Sequence, residues 1–175
     1  MFDELAIEYV LGGSIASSFF GEPRATADVD VAVTLDPPAG ERFLARAATE
    51  FYVPSEAATT AIETRDSFNL IDTSIPFKVD VFVLGDALLD RRQMERRIRV
   101  LVPSTGEELW VTSPEDQVLR KLEWFRAGGE ISDQQWRDIA GLLRIGEGRL
   151  DLDYLWTTAE AVELTDLLER AMRGR

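Results

Sequence analysis

Cysteine and histidine are both missing from this chain of 175 residues. Without cysteine there is no disulfide, no thiolate nucleophile and no cysteine-ligated zinc. Without histidine there is no imidazole base and no histidine-containing triad. Positive charge is scarce as well: 19 Lys and Arg stand against 32 Asp and Glu, a formal net charge of −13. That balance argues against extensive nucleic-acid binding, which needs surplus cations for the phosphates. No apolar run reaches the ~18 residues that a membrane-spanning helix requires. The opening residues Met1-Phe2-Asp3-Glu4 lack the basic segment of a signal peptide, so a cytoplasmic protein with no membrane attachment is expected. Any catalysis is left to carboxylates, hydroxyls, amines or a metal held by oxygen.

What is present suits one ordinary domain, or one domain with a small helical extension. Apolar residues make up 45% of the chain, enough for a soluble core. The charge is uneven. Residues 1–90 hold 5 Lys/Arg and 16 Asp/Glu, whereas residues 91–175 hold 14 and 16. The second part opens with a basic run at 91–99. It reads either as a solvated helix face, with Glu95 paired to a neighbouring Arg, or as a landing place for a polyanion; the first is favoured.

Residues 7–11 are an apolar stretch of β-formers that runs into Gly12-Gly13, which reads as a strand entering a tight turn. A helix is expected over 14–20, with Ser14 as its cap. A strand with one buried face follows at 28–35. Helices are expected at 41–51 and 55–63, and strands at 67–72 and 77–84 separated by a hairpin-length break. A helix over 86–97 and short strands at 98–102 and 108–111 complete the first part. The texture then changes. Thr112-Ser113-Pro114-Glu115-Asp116 is a strong helix start, with a hydroxyl cap, proline in the first turn and acids against the helix dipole. Further helices are expected over 132–145, capped by Ser132, and from 150 to the end. The expected organisation is an α/β part over 1–111 and a helical part over 112–175 packed on it.

Two features carry chemistry. The first is Leu11-Gly12-Gly13-Ser14 at a strand-to-helix turn, where glycines admit a ligand to the backbone and free N–H groups suit a phosphate. The second is Asp28-Val29-Asp30. Positions two apart on a strand face one side, so the two carboxylates project together. They repel unless a cation offsets their charge, and all-oxygen ligation suits Mg²⁺. The competing reading is an exposed face of solvated acids. Asp80 sits in another apolar strand, and if that strand lies beside the first it joins the pair. Three carboxylates can hold two metals, and one can accept a nucleophile's proton. The competing reading for Asp80 is a salt bridge to Lys78 on the same face.

Gly-Ser, thirteen residues, Asp-Val-Asp-Val and a later strand Asp together resemble the nucleotidyltransferase fold of the DNA polymerase β superfamily. The stretch LGGSIASSFFGEPRATADVD at 11–30 is similar to bacterial minimal nucleotidyltransferases, among them relatives of abortive-infection toxins. So are the helical stretches Ser113-Pro114-Glu115-Asp116 to Leu119-Arg120-Lys121-Leu122, and Gln135-Trp136-Arg137-Asp138-Ile139. The likeness spans about residues 7–143.

The resemblance implies a mixed α/β fold, in which a sheet holds the acids, helices flank it and a helical bundle ends the chain. It implies transfer of a nucleoside monophosphate from an NTP to an acceptor hydroxyl, with Mg²⁺ in a two-metal site. Asp28, Asp30 and Asp80 would then be metal ligands, with Asp80 also the base. Gly12, Gly13 and Ser14 would hold the triphosphate. Arg24, Thr26 and Lys121 are further nucleotide-binding candidates. Arg24 alternatively ties Glu22 or Asp28, and Lys121 is alternatively a surface lysine. Asp138 reads as polar support for Lys121 or Arg120. The four tryptophans read as core, with a base-stacking role open for one. The acceptor is a small molecule, a protein or an RNA. The alternative function is a non-catalytic module on the same fold, with a protein partner as in a toxin–antitoxin pair, or a homodimer.

Overall fold

The structure is a computed structural model that describes residues 1–21 and 25–174. The first elements are β1 (Tyr9–Leu11), α1 (Gly13–Phe20), β2 (Asp28–Val33), α2 (Pro37–Ala47) and α3 (Ser55–Thr64). They are followed by β3 (Ser67–Asp72), β4 (Phe77–Val83), α4 (Leu88–Glu95), β5 (Ile98–Leu101) and β6 (Glu108–Val111). Four helices close the chain: α5 (Pro114–Ala127), α6 (Asp133–Ile145), α7 (Leu152–Ala161) and α8 (Thr165–Arg173). The strands form one six-stranded mixed sheet in the order β3-β4-β2-β1-β6-β5. β2 runs parallel to β4 and β1 parallel to β6, while the remaining pairs are antiparallel. This is the mixed α/β architecture that the sequence leads one to expect.

Alternation decides which face is which. Val31, Val33, Val81, Val83, Phe68 and Leu70 turn to one side and pack with Phe43 and Ala47 of α2 and Ala58 and Ile62 of α3. Their odd-numbered and even-numbered neighbours are thereby forced to the other side. That second face carries Asp28, Asp30 and Ala32 on β2, Lys78, Asp80 and Phe82 on β4, and Ser67, Asn69 and Ile71 on β3. A second core joins α5 to α8 through Leu119, Leu122, Ile139, Leu142, Leu155 and Leu168. Leu89 of α4 belongs to it and Phe20 of α1 packs against it, so sheet and helices share apolar contacts. Among the described residues no helix is long and apolar enough to cross a membrane.

Several helix bounds differ from expectation: α4 starts two residues late, at Leu88, and the stretch expected to be helical from 150 to the end divides into α7 and α8. α2 begins four residues early, because Asp36 caps it by accepting from the Ala39 N–H at 2.7 Å. Pro37 and Pro38 then open the first turn, where a missing N–H costs nothing. In α1 the cap is Gly12, not Ser14, which lies inside the first turn.

Candidate functional site

The glycine turn is built against the acid strand. The Gly12 N–H donates to the Asp30 carbonyl at 2.9 Å, which carries the end of β1 along the edge of β2. Gly13 then takes a left-handed φ of 54°, and a Cβ there would lie 1.7 Å from Asp30 Oδ2. Both the backbone conformation and the contact demand glycine. Gln117 of α5, 2% exposed, donates from Nε2 to the Gly13 carbonyl at 2.7 Å. Ser17 Oγ donates to the same oxygen at 2.9 Å. The turn is thus fastened from two sides, and the N-terminus of α1 opens beside the Asp30 carboxyl.

The register brings the three acids onto one face. Asp30 pairs with Asp80, and Asp28 with Lys78, across the parallel β2–β4 ladder. Asp80 accepts an ion pair from Lys78 Nζ at 2.8 Å, so the competing reading for that residue is realised in this arrangement. The Thr26 hydroxyl bonds to the Asp28 carboxylate. Asp30 has the most burdened carboxyl. Burial pushes its pKa up, and the charges of Asp28 and Asp80 push it further, against the pull of Lys121 and Lys78. Among the described residues no three His, Cys, Asp or Glu side chains already converge on a point able to hold a metal ion. The donor set itself, three carboxylates with a crowded buried member, is the kind a hard divalent cation relieves.

The opposite wall comes from the helical part. A cleft of about 720 Å³ lies between the acid face and helices α5 and α6. Gln117, Arg120, Lys121 and Trp124 reach it from one face of α5, at helical spacing. Lys121 is only 9% exposed and its Nζ meets Asp138 Oδ2 of α6 at 2.8 Å. Asp138 therefore supports Lys121, the first of the two partners expected for it. Arg120 instead pairs with Asp90 of α4 and with Glu123. Trp124 is 51% exposed, with its ring edge-on to Phe82 at 5.8 Å between centroids. Of the four tryptophans it is the one that departs from the core.

Gly12, Gly13, Ser14, Asp30 and Lys121 line this cleft together. Asp28 and Asp80 share the acid face, with Thr26 bonded to Asp28. Arg24 lies outside the described residues. Sequence reasoning missed Gln117, the Arg120–Asp90 pair and the cleft position of Trp124. Only Gln117 left a signal, as a neutral polar residue preceding the apolar pair Val118-Leu119.

The basic run at 91–99 is largely engaged within the fold. Arg92 pairs with Glu95 at 3.0 Å, Arg97 with Glu8 at 2.8 Å and Arg99 with Glu108 at 2.9 Å. Arg96 faces Glu115 and Asp116 and lies over the Tyr154 ring at 3.7 Å.

The sequence matches no protein-family model and no curated protein. Solved structures do match. An antigenic nucleotidyltransferase-like protein from Paracoccidioides brasiliensis is 18% identical, with 98% of this chain and 87% of that one covered at a TM-score of 0.53. The antibiotic-resistance factor ANT(2'')-Ia in solution is 13% identical, with 99% and 86% covered at a TM-score of 0.52. These likenesses assign the chain the nucleotidyltransferase fold.

Proposed function

We propose that the chain is a metal-dependent nucleotidyltransferase that moves a nucleoside monophosphate from an NTP to an acceptor hydroxyl. The observation that carries this reading is one arrangement: the Gly13 turn and Asp30 line the cleft together, and Asp80 pairs with Asp30 on the neighbouring strand. The fold likeness supports it, since the transfer needs a phosphate cradle next to clustered carboxylates. Residues 1–111 would carry the chemistry, with 112–175 as the facing wall.

The roles follow from position. N–H groups at the start of α1 bind the departing phosphates, with the helix dipole in their favour. Asp28, Asp30 and Asp80 would hold the metal, for which Asp80 exchanges its Lys78 partner. A bound divalent cation such as Mg²⁺ supplies charge stabilisation at the transferred phosphoryl group. Asp80 takes the proton of the attacking hydroxyl as its oxygen bonds to phosphorus and pyrophosphate leaves. No histidine competes for that duty. Lys121, oriented by Asp138, offers a positive charge to the phosphates across the cleft.

Calorimetric titration with ATP, CTP, GTP and UTP, with and without Mg²⁺, tests the reading. At least one nucleotide should bind only when Mg²⁺ is present, and Asp30→Asn should remove that dependence. If none binds in either condition, the reading falls.

A further inference from the structure

We infer that Gln93 and Trp124 form a nucleobase subsite in the cleft, and that it accepts purines with either an amino or an oxo group on the six-membered ring. This rests on the nucleotidyl-transfer reading.

The floor of the cleft gives the direction. Asp30 lines it, paired with Asp80 on the neighbouring strand. The next pair on the same face of β2 and β4 is Ala32 with Phe82, and both line the cleft, followed by Leu84. Asp28 and Lys78, the pair on the other side of Asp30, lie outside it. The cleft therefore runs from the acids towards the apolar pair. A strand advances ~3.3 Å per residue, which puts that pair ~6.6 Å beyond the acids and leaves the width of a ribose between. A nucleotide with its phosphates at the Gly13 turn and Asp30 thus extends its base over Ala32 and Phe82.

That end holds a buried group with no protein partner. Gln93 of α4 is 6% exposed and borders the cleft. Its amide makes no hydrogen bond among the described residues. Met94 anchors the same turn of α4 against Val10, Ala32 and Leu84, which holds the amide beside the apolar floor. An amide this buried is costly to leave unpaired, so it points to a ligand that completes it. Trp124 of α5 supplies the face. Half of its surface is open, and its ring meets Phe82 edge-on, next to the place the base reaches.

The surrounding charges are already matched. Arg120 borders the cleft here but is held by Asp90 and Glu123. Asp90 also accepts from the Gly85 N–H at 2.9 Å. The Gln93 amide is left as the reading group, with a donor and an acceptor side by side, as on the edge of a base. No protein group fixes its orientation, so a half-turn exchanges oxygen and NH₂. One orientation meets the amino donor and ring-nitrogen acceptor of adenine. The other meets the oxo acceptor and ring N–H donor of guanine. Two fused rings cover more of the open indole than one does, which favours purines over pyrimidines.

The test titrates the full chain, with Mg²⁺, against non-hydrolysable analogues of ATP, GTP and CTP and against inorganic tripolyphosphate. The two purine analogues should bind within about threefold of each other and about tenfold tighter than the CTP analogue. Gln93→Met keeps the side-chain volume and removes the amide, and should weaken both purine analogues about tenfold. Trp124→Ala, at an exposed ring, should weaken them by a similar factor. Tripolyphosphate affinity should not change in either variant. Gln93→Met should not lower the thermal midpoint, because it breaks no hydrogen bond within the protein. Purine affinities that ignore both substitutions overturn the subsite, as does a loss that extends to tripolyphosphate. A lower midpoint for Gln93→Met would mark the amide as structural and overturn its reading role. A tenfold preference between the purines, or a CTP analogue bound as tightly as they are, overturns the base class. If no nucleotide analogue binds the unsubstituted chain, the nucleotidyl-transfer reading falls, and this inference with it.

Discussion

Asp30 sets stability against function within one side chain. Burial, then the charges of Asp28 and Asp80, hold its pKa above the usual 3.8. The folded chain therefore disfavours the ionised form. Its contribution to stability is complete below that usual value and is lost as the pH rises through the raised one. At neutral pH without metal, Asp30→Asn should stabilise the protein, raising the thermal midpoint by about 2–4 °C for each kcal/mol of repulsion relieved. The same variant should lose nucleotidyl transfer. The stabilisation should shrink as the pH falls towards 4, and a variant less stable than the parent at pH 7 would count against this account. The Asp face was legible in the sequence because strand alternation alone puts Asp28 and Asp30 together. The bond from Gln117 to the Gly13 carbonyl was not, because it joins residues far apart in the chain.

Among the elements, α5 does most of the organising. Its start at Ser113-Pro114 was readable locally, from cap, proline and first-turn acids. Its tertiary links were not, because each joins residues far apart in the chain. Asp116, almost fully buried, accepts from the Tyr154 hydroxyl of α7 at 2.5 Å and from Ser113 Oγ at 2.8 Å. Arg96, just past α4, lies over the Tyr154 ring. This cluster ties three helices together beside the apolar bundle, against which Tyr154 packs. It also explains why a run that reads as a basic face holds little free charge. Burial raises the Asp116 pKa, while the hydrogen bonds from Tyr154 and Ser113 and the charge of Arg96 restrain it. Tyr154→Phe removes one restraint and leaves a buried carboxylate oxygen without its donor, at a cost of about 1–3 kcal/mol. Because the ionised form bears the cost, urea melts should show it in full at pH 7 and shrinking towards pH 4. An equal loss at both pH values would show that the hydroxyl matters only for packing.

For the molecule as a whole, the charge of −13 has two components that respond differently to cations. Most of the acids lie on the surface, where they repel over long range and any salt screens them. The acids on the β2–β4 face sit together, with Asp30 lining the cleft, and under the proposed function they would answer to a divalent ion by binding it. Sequence composition could state the total charge but not this division, which depends on the β2–β4 register. The two components separate in a thermal-shift experiment at matched ionic strength. NaCl should raise the midpoint of the parent chain and of Asp30→Asn alike. MgCl₂ should add a further increment to the parent only. At about 100 times the dissociation constant, that increment corresponds to about 2.7 kcal/mol, or about 5–10 °C for a chain of this size. Asp28→Asn should reduce it, whereas Glu95→Gln, at a residue that pairs with Arg92 and does not line the cleft, should leave it intact. If the two salts act identically at equal ionic strength, the carboxylates of the sheet hold no metal, and the excess negative charge is surface alone.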